Sequence, residues 1–268
     1  MLHCLSTTSN FRLPVSNNTT PKKQRFRDRV VFHFTAMEKS YQEKKPRLLC
    51  LHGFRTSGEI LKKQVSKWPD SVLGKLDLVF LDGPFPAQGK SDVEGFFPPP
   101  YYEWFQFIHE VNEYRNVDEC LAYVEDFMLK QGPFDGLMGF SQGAILSTAL
   151  TGLQSKGLAL TKVPKVKFLI IIGGGKFRSS DLCEKVYSSP IECPSLHFIG
   201  DADFLKPRGE LLLESFVDPI VIRHSKGHVV PKLDDESLVT VLNFVERIQT
   251  ILSCNASATT EEKEECSV

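Results

Sequence analysis

Gly139-Phe140-Ser141-Gln142-Gly143 stands between one short apolar run, Phe134 to Met138, and another, Ala144 to Leu150. A Gly-x-Ser-x-Gly set between strand and helix is a nucleophile elbow. The turn is so sharp that side chains at the glycine positions would strike the neighbouring strand and helix, while the serine is held strained with its hydroxyl exposed. The chemistry implied is acyl transfer through Ser141. The pentapeptide alone arises by chance in about one such chain in ten, so the partners of the serine decide its meaning.

A nucleophilic serine needs a base, and the base needs an acid to fix its tautomer. Gly200-Asp201-Ala202-Asp203 follows the apolar run Ser195 to Ile199, and Ser225-Lys226-Gly227-His228 follows Pro219 to Arg223. Ser, Asp, His is the chain order of the α/β-hydrolases. Two carboxylates compete for the acid role. Asp203 is favoured because a residue several positions past a strand end can turn back toward the histidine, leaving Asp201 to cap the turn. His228 follows a glycine in a loop and is read as the base. His224 sits at a strand end, His197 inside a strand and His109 in an aromatic stretch, and they are read as structural. The oxyanion needs two donors. The expected ones are the backbone N–H of Gln142 and, from Leu51-His52-Gly53-Phe54, that of Phe54. His52 is read as packing the loop.

These residues must be held by strands and helices in alternation. The runs Leu48 to Leu51, Leu76 to Leu81, Gly136 to Phe140, Val166 to Ile172, Ser195 to Ile199 and Pro219 to Arg223 are continuous and apolar, as strands buried on both faces are. Between them, Thr56-x-x-Glu59 and Asn116-x-x-Glu119 read as capping boxes opening helices. A final helix spans about Asp234 to Ile251, with Leu238, Val241, Leu242, Val245 and Ile248 on one stripe. The fold class expected is α/β, a doubly wound and mostly parallel sheet with helices on both faces and active residues at the carboxyl ends of the strands. The segment 82–115 breaks the alternation. It is long, proline-punctuated and aromatic, and directly follows the second strand. Phe96, Phe97, Tyr101 and Trp104 are therefore expected to line or cover an apolar acyl pocket; a core cluster beneath a loop is the alternative.

Composition narrows the class. With 32 basic and 33 acidic residues among 268, the net charge is -1, which offers no field for nucleic acid or an anionic membrane. No apolar run approaches the roughly 18 residues of a membrane span. Seven scattered cysteines, none in Cys-x-x-Cys spacing, point away from disulfides and zinc and toward a reducing compartment. Residues 1–44 read as an N-terminal extension. Its first 36 residues hold many hydroxyls and bases and one acid, Asp28, a composition shared with organelle transit peptides; cytoplasm is the expected location and plastid the alternative. Residues 45–252 form the catalytic domain, and 253–268, ending in a Glu/Lys cluster, a disordered acidic tail.

Leu51-His52-Gly53-Phe54-Arg55, Asp82-Gly83-Pro84, Gly139 to Ala144, Gly200-x-x-Asp203 and Gly227-His228-x-x-Pro231, in that order, resemble the FSH family of serine hydrolases over about residues 47–250. The resemblance implies an α/β-hydrolase cleaving carboxylic esters through a Ser-Asp-His triad, here Ser141, Asp203 and His228. It implies no metal or organic cofactor. The substrate is expected to be a small ester with an apolar acyl group. A thioesterase or lactonase with the same triad, and a slow-turnover binding protein with an α/β-hydrolase pocket, remain as alternatives.

Overall fold

The computed structural model describes residues 45–111 and 113–265, with side chains to residue 254. The extension expected over residues 1–44 lies outside the described residues.

Strand β1 (Arg47–Leu51) is followed by helices α1 (Gly58–Val65) and α2 (Asp70–Leu73) and strand β2 (Asp77–Leu81). The aromatic segment then forms β3 (Phe85–Pro86), β4 (Tyr102–Glu103), β5 (Gln106–Ile108) and β6 (Glu113–Arg115). Helix α3 (Val117–Gln131) returns the chain to β7 (Gly136–Phe140) and α4 (Gln142–Gln154). The remainder alternates: β8 (Phe168–Ile172), α5 (Ser180–Tyr187), β9 (Ser195–Gly200), α6 (Lys206–Leu213), β10 (Ile220–His224) and α7 (Asp235–Glu265). The last helix thus runs past residue 252, the boundary that composition suggests. No described helix is long and apolar enough to cross a membrane.

Six strands form one sheet in the order β10-β9-β8-β7-β1-β2, and every pairing is parallel. β2 and β7 flank β1 on opposite sides, so the winding reverses there, and the crevice beyond the strand ends at that point is where such sheets take ligands. The side chains divide by period two. Leu49, Leu51, Leu137, Leu169 and Ile171 join one core with α3, α4, α5 and α6. Leu48, Cys50, Met138, Phe140, Ile170 and Phe198 join another with α1, α2 and α7. Burial on both faces explains why β7, β8 and β9 carry no exposed residue and read as unbroken apolar runs.

Two helix starts differ from the capping-box expectation. Ser57, not Thr56, caps α1, its Oγ accepting from Ile60 N–H at 3.3 Å. Thr56 is drawn away because its carbonyl accepts from Tyr102 N–H at 2.7 Å, bridging it to the aromatic segment. Asn116, at φ 65°, makes no side-chain cap on α3. Its left-handed backbone turns the hairpin β5-β6 into the helix instead.

Of the stripe expected on helix α7, Val241, Val245 and Ile248 are buried while Leu238 and Leu242 are half-buried; Phe244, outside that stripe, is buried as well, its ring meeting Phe168 edge-on at 6.1 Å. Phe244→Ala should cost about 3 to 5 kcal/mol of stability in urea denaturation. A loss under about 1 kcal/mol would mean that this face contributes little.

Candidate active site

Three strand ends bring one residue each to the same point. Ser141 follows β7, Asp203 lies three residues past β9, and His228 lies four past β10. Ser141 Oγ stands 2.8 Å from His228 Nε2, and His228 Nδ1 stands 2.8 Å from Asp203 Oδ2. With Nδ1–H donating a hydrogen bond to the carboxylate, Nε2 is left to accept one from the serine hydroxyl. Asp203 is nearly buried, and its other oxygen accepts from Leu205 N–H at 2.7 Å. Asp201, by contrast, is on the surface, where Lys206 Nζ donates to it at 2.8 Å and holds its carboxyl below the usual range.

The elbow geometry is that expected of the pentapeptide. Ser141 has φ 55° and ψ -115°, a conformation few L-residues adopt. A Cβ on Gly139 would overlap the Gly143 carbonyl and Ala144, and one on Gly143 would overlap the carbonyls of Leu51 and His52. Gly173, just past β8, is a third steric requirement, one that the motifs do not single out. It has φ 55°, and a Cβ there would lie 3.1 Å from both Asp203 Oδ2 and the His228 ring. The triplet Gly173-Gly174-Gly175 at a strand end is the signal that could have found it. Two phenyl rings lie against His228, Phe140 at 5.0 Å and Phe204 at 4.6 Å between centroids.

Of the expected oxyanion donors, Gln142 opens α4, where the first backbone N–H groups have no helical acceptor. Phe54 follows Gly53, whose added Cβ would be 3.4 Å from that of Ser141, so this loop lies against the serine. His52 is wholly buried beneath it, and burial pushes its imidazole down to about 4. Gly83 N–H donates to His52 Nε2 at 2.8 Å, so the neutral ring carries its proton on Nδ1. The Gln142 side chain acts separately from its backbone, as a clamp: Nε2 donates to the Phe105 carbonyl at 2.6 Å and Oε1 accepts from Trp104 N–H at 3.1 Å.

That clamp bears on the aromatic segment. Trp104 has no accessible surface, and its indole N–H donates to the His52 carbonyl at 2.8 Å. It supports the loop from the core, which corrects its reading as a pocket wall. Phe105 packs with Tyr114 and Phe177. Tyr101 donates to the Phe97 carbonyl and borders a groove shared with Lys90, Ser91 and Glu94. Phe97 is half-buried and Phe96 is 85% exposed. The exposed ring that does lie against His228 is Phe204, which nothing in the sequence pattern marks; the exposed Phe54 ring lies under the Arg55 guanidinium. Glu103, also fully buried, ties the segment to the Phe54 loop: it accepts from Arg55 Nε at 2.8 Å, from Gln88 N–H at 3.0 Å and from Gln106 Nε2 at 2.8 Å.

Several other potential nucleophiles and bases are disarmed by burial. Burial pushes the Cys50 and Cys120 thiols up and Cys193 to about 12, so none offers a thiolate. His197 is buried within β9 and pushed down to about 3.

A family model described as "Serine hydrolase (FSH1)" matches residues 40–238. Esterase OVCA2 of Bos taurus is 32% identical over 204 residues, covering 69% of this chain and 89% of that protein; the Homo sapiens protein matches to the same extent. Among solved structures, Zea mays acyl-protein thioesterase 2 superposes with a TM-score of 0.55 at 19% identity, covering 76% of this chain and 94% of the other. At that identity the likeness is one of fold, an α/β-hydrolase.

The steric requirement at Gly173 yields a prediction. Gly173→Ala should lower kcat on a p-nitrophenyl ester at least about tenfold, because a shift of a few tenths of an ångström breaks the Asp203-His228-Ser141 alignment. Circular dichroism should show the fold retained. A fully active variant would mean that the dyad does not need this space.

Proposed function

Because this chain belongs to the serine hydrolase (FSH1) family and acts on ester bonds, we propose that Ser141 is its nucleophile, His228 its general base and Asp203 the carboxylate that orients the base. The carrying observation is the unbroken relay from Ser141 Oγ through both nitrogens of His228 to Asp203, with both links at 2.8 Å. His228 Nε2 takes the hydroxyl proton as Oγ attacks the ester carbonyl. The imidazolium so formed is held by Asp203, then gives its proton to the departing alcohol. An acyl-enzyme remains, and water, activated by the same nitrogen, releases the acid. A positioned base supplies roughly 10²- to 10⁴-fold in rate.

The N–H groups of Phe54 and Gln142 are the proposed oxyanion donors, each worth about 3 to 4 kcal/mol in the transition state. Phe96 and Phe97 are proposed to meet an apolar acyl chain from the rim, and the exposed Phe204 ring against His228 supports an apolar substrate. The described cysteines form no disulfide, which supports a reducing compartment such as the cytoplasm.

A fluorophosphonate probe should label the wild type and not Ser141→Ala; an unlabelled wild type would remove the proposal. Asp203→Asn should lower kcat by about 10³- to 10⁴-fold by disturbing the tautomer of His228. Asp201→Asn, which alters a surface pair only, should stay within about twofold. The reverse ranking would reassign the acid.

A further inference from the structure

The Gly53 carbonyl, in the loop against Ser141, is pinned twice by side chains. His52 Nδ1 donates to it at 2.7 Å and Thr56 Oγ1 at 2.8 Å. Both donors are buried. Both lone pairs of one carbonyl oxygen are thereby occupied from behind the loop. The same peptide unit carries the Phe54 N–H. Its bond is trans, since the cis bonds among the described residues lie elsewhere, and in a planar trans peptide the C=O and N–H point in opposite directions. Holding the carbonyl on the side of His52 and Thr56 therefore aims the N–H away from them, in a loop that itself lies against Ser141.

From this geometry we infer that Thr56 and His52 are positioning residues for the oxyanion site, acting through the Gly53-Phe54 peptide plane. The inference rests on the assignment of Phe54 N–H as a donor to the oxyanion. Each positioning group is itself fixed. Gly83 N–H holds His52 Nε2 as an acceptor, which obliges Nδ1 to be the donor. Thr56 is bridged to Tyr102 through its carbonyl, and the intervening Arg55 is held at φ 52° by the buried Glu103. A freely rotating peptide at Gly53 would spread its N–H over many directions, because glycine imposes little of its own. Two hydrogen bonds to one oxygen remove that freedom before substrate arrives. This is preorganisation of a dipole, and it acts where charge develops rather than where substrate is bound.

Such a role separates kcat from KM. Thr56→Val keeps the shape and removes the hydroxyl. It should lower kcat on a p-nitrophenyl ester at least tenfold with KM within twofold, and slow fluorophosphonate labelling by a similar factor, since the phosphonyl oxygen occupies the same site. Thr56→Ser, which keeps the donor, should stay within threefold of wild type on both readouts. Thr56→Ala supplies the same comparison if valine does not fit. Replacing Phe54 with 3-phenyllactate, which deletes only the backbone N–H, tests the premise. If that replacement is harmless, the donor assignment itself fails. If it costs 100-fold while Thr56→Val keeps kcat within twofold, the donor stands and the positioning role is overturned. Equal losses in the Ser and Val variants would also overturn it, because the hydroxyl would then be irrelevant.

Discussion

Helix α4 begins so close to the carboxyl end of β1 that only backbone fits between them. Gly143 N–H donates to the His52 carbonyl at 3.0 Å, and there is no space for a side chain at Gly143 or at Gly139 across the turn. Ser141 accommodates this contact with a left-handed φ. The strain is held because Ser141 N–H donates to the Ile172 carbonyl of β8, and because nearly all of α4 is buried, which leaves the helix no room to relax. The same approach carries the Phe54 loop, which continues β1, alongside the serine. The proposed nucleophile and oxyanion donors are thus two results of one backbone contact.

The aromatic segment is fastened to that contact by polar groups rather than by its rings alone. Gln142 reaches from the elbow to Trp104 and Phe105, Trp104 reaches back to the His52 carbonyl, and Glu103 binds Arg55. A buried carboxylate such as Glu103 is costly to desolvate, and its ion pair with Arg55 is weak evidence for net stability. What it does supply is register. Three donors converge on it from residues 55, 88 and 106, and a slip of the segment by one residue would leave a buried charge unpaired. Gly83 adds a steric pin, for a Cβ there would lie 2.6 Å from the Glu103 carbonyl.

The central sheet is legible in the sequence because its inner strands are buried on both faces and therefore spelled out in unbroken apolar letters, Gly136–Phe140 to the residue. The three residues proposed as a triad stand where chain order and strand position point, because strand ends are where a doubly wound sheet exposes its loops. The aromatic segment is not legible. Its strands are two or three residues long, too short for a period, and depend on Glu103 and Gln142 for their register. Trp104 shows why: aromatic composition says that a ring will be buried, not whether it faces substrate or core. The helix cap at Ser57 differs from expectation by one residue for a similar reason, since the bond from Tyr102 that displaces Thr56 comes from 46 positions away.

The environment of His228 follows from the elbow as well. The residue between Gly139 and Ser141 must point opposite to its neighbours in the strand, and being phenylalanine it lays a ring, tilted by 28°, against the imidazole. Phe204, next to Asp203, is the second ring against it. Both contacts limit how the imidazole can turn, and so help to keep its Nε2 in line with Ser141 Oγ. They differ in setting. Phe140 is buried, whereas Phe204 is 73% exposed, so the first contact is fixed by the core and the second is open to solvent. An apolar group resting on Phe204 would displace water from that contact and close the surroundings of the proposed base.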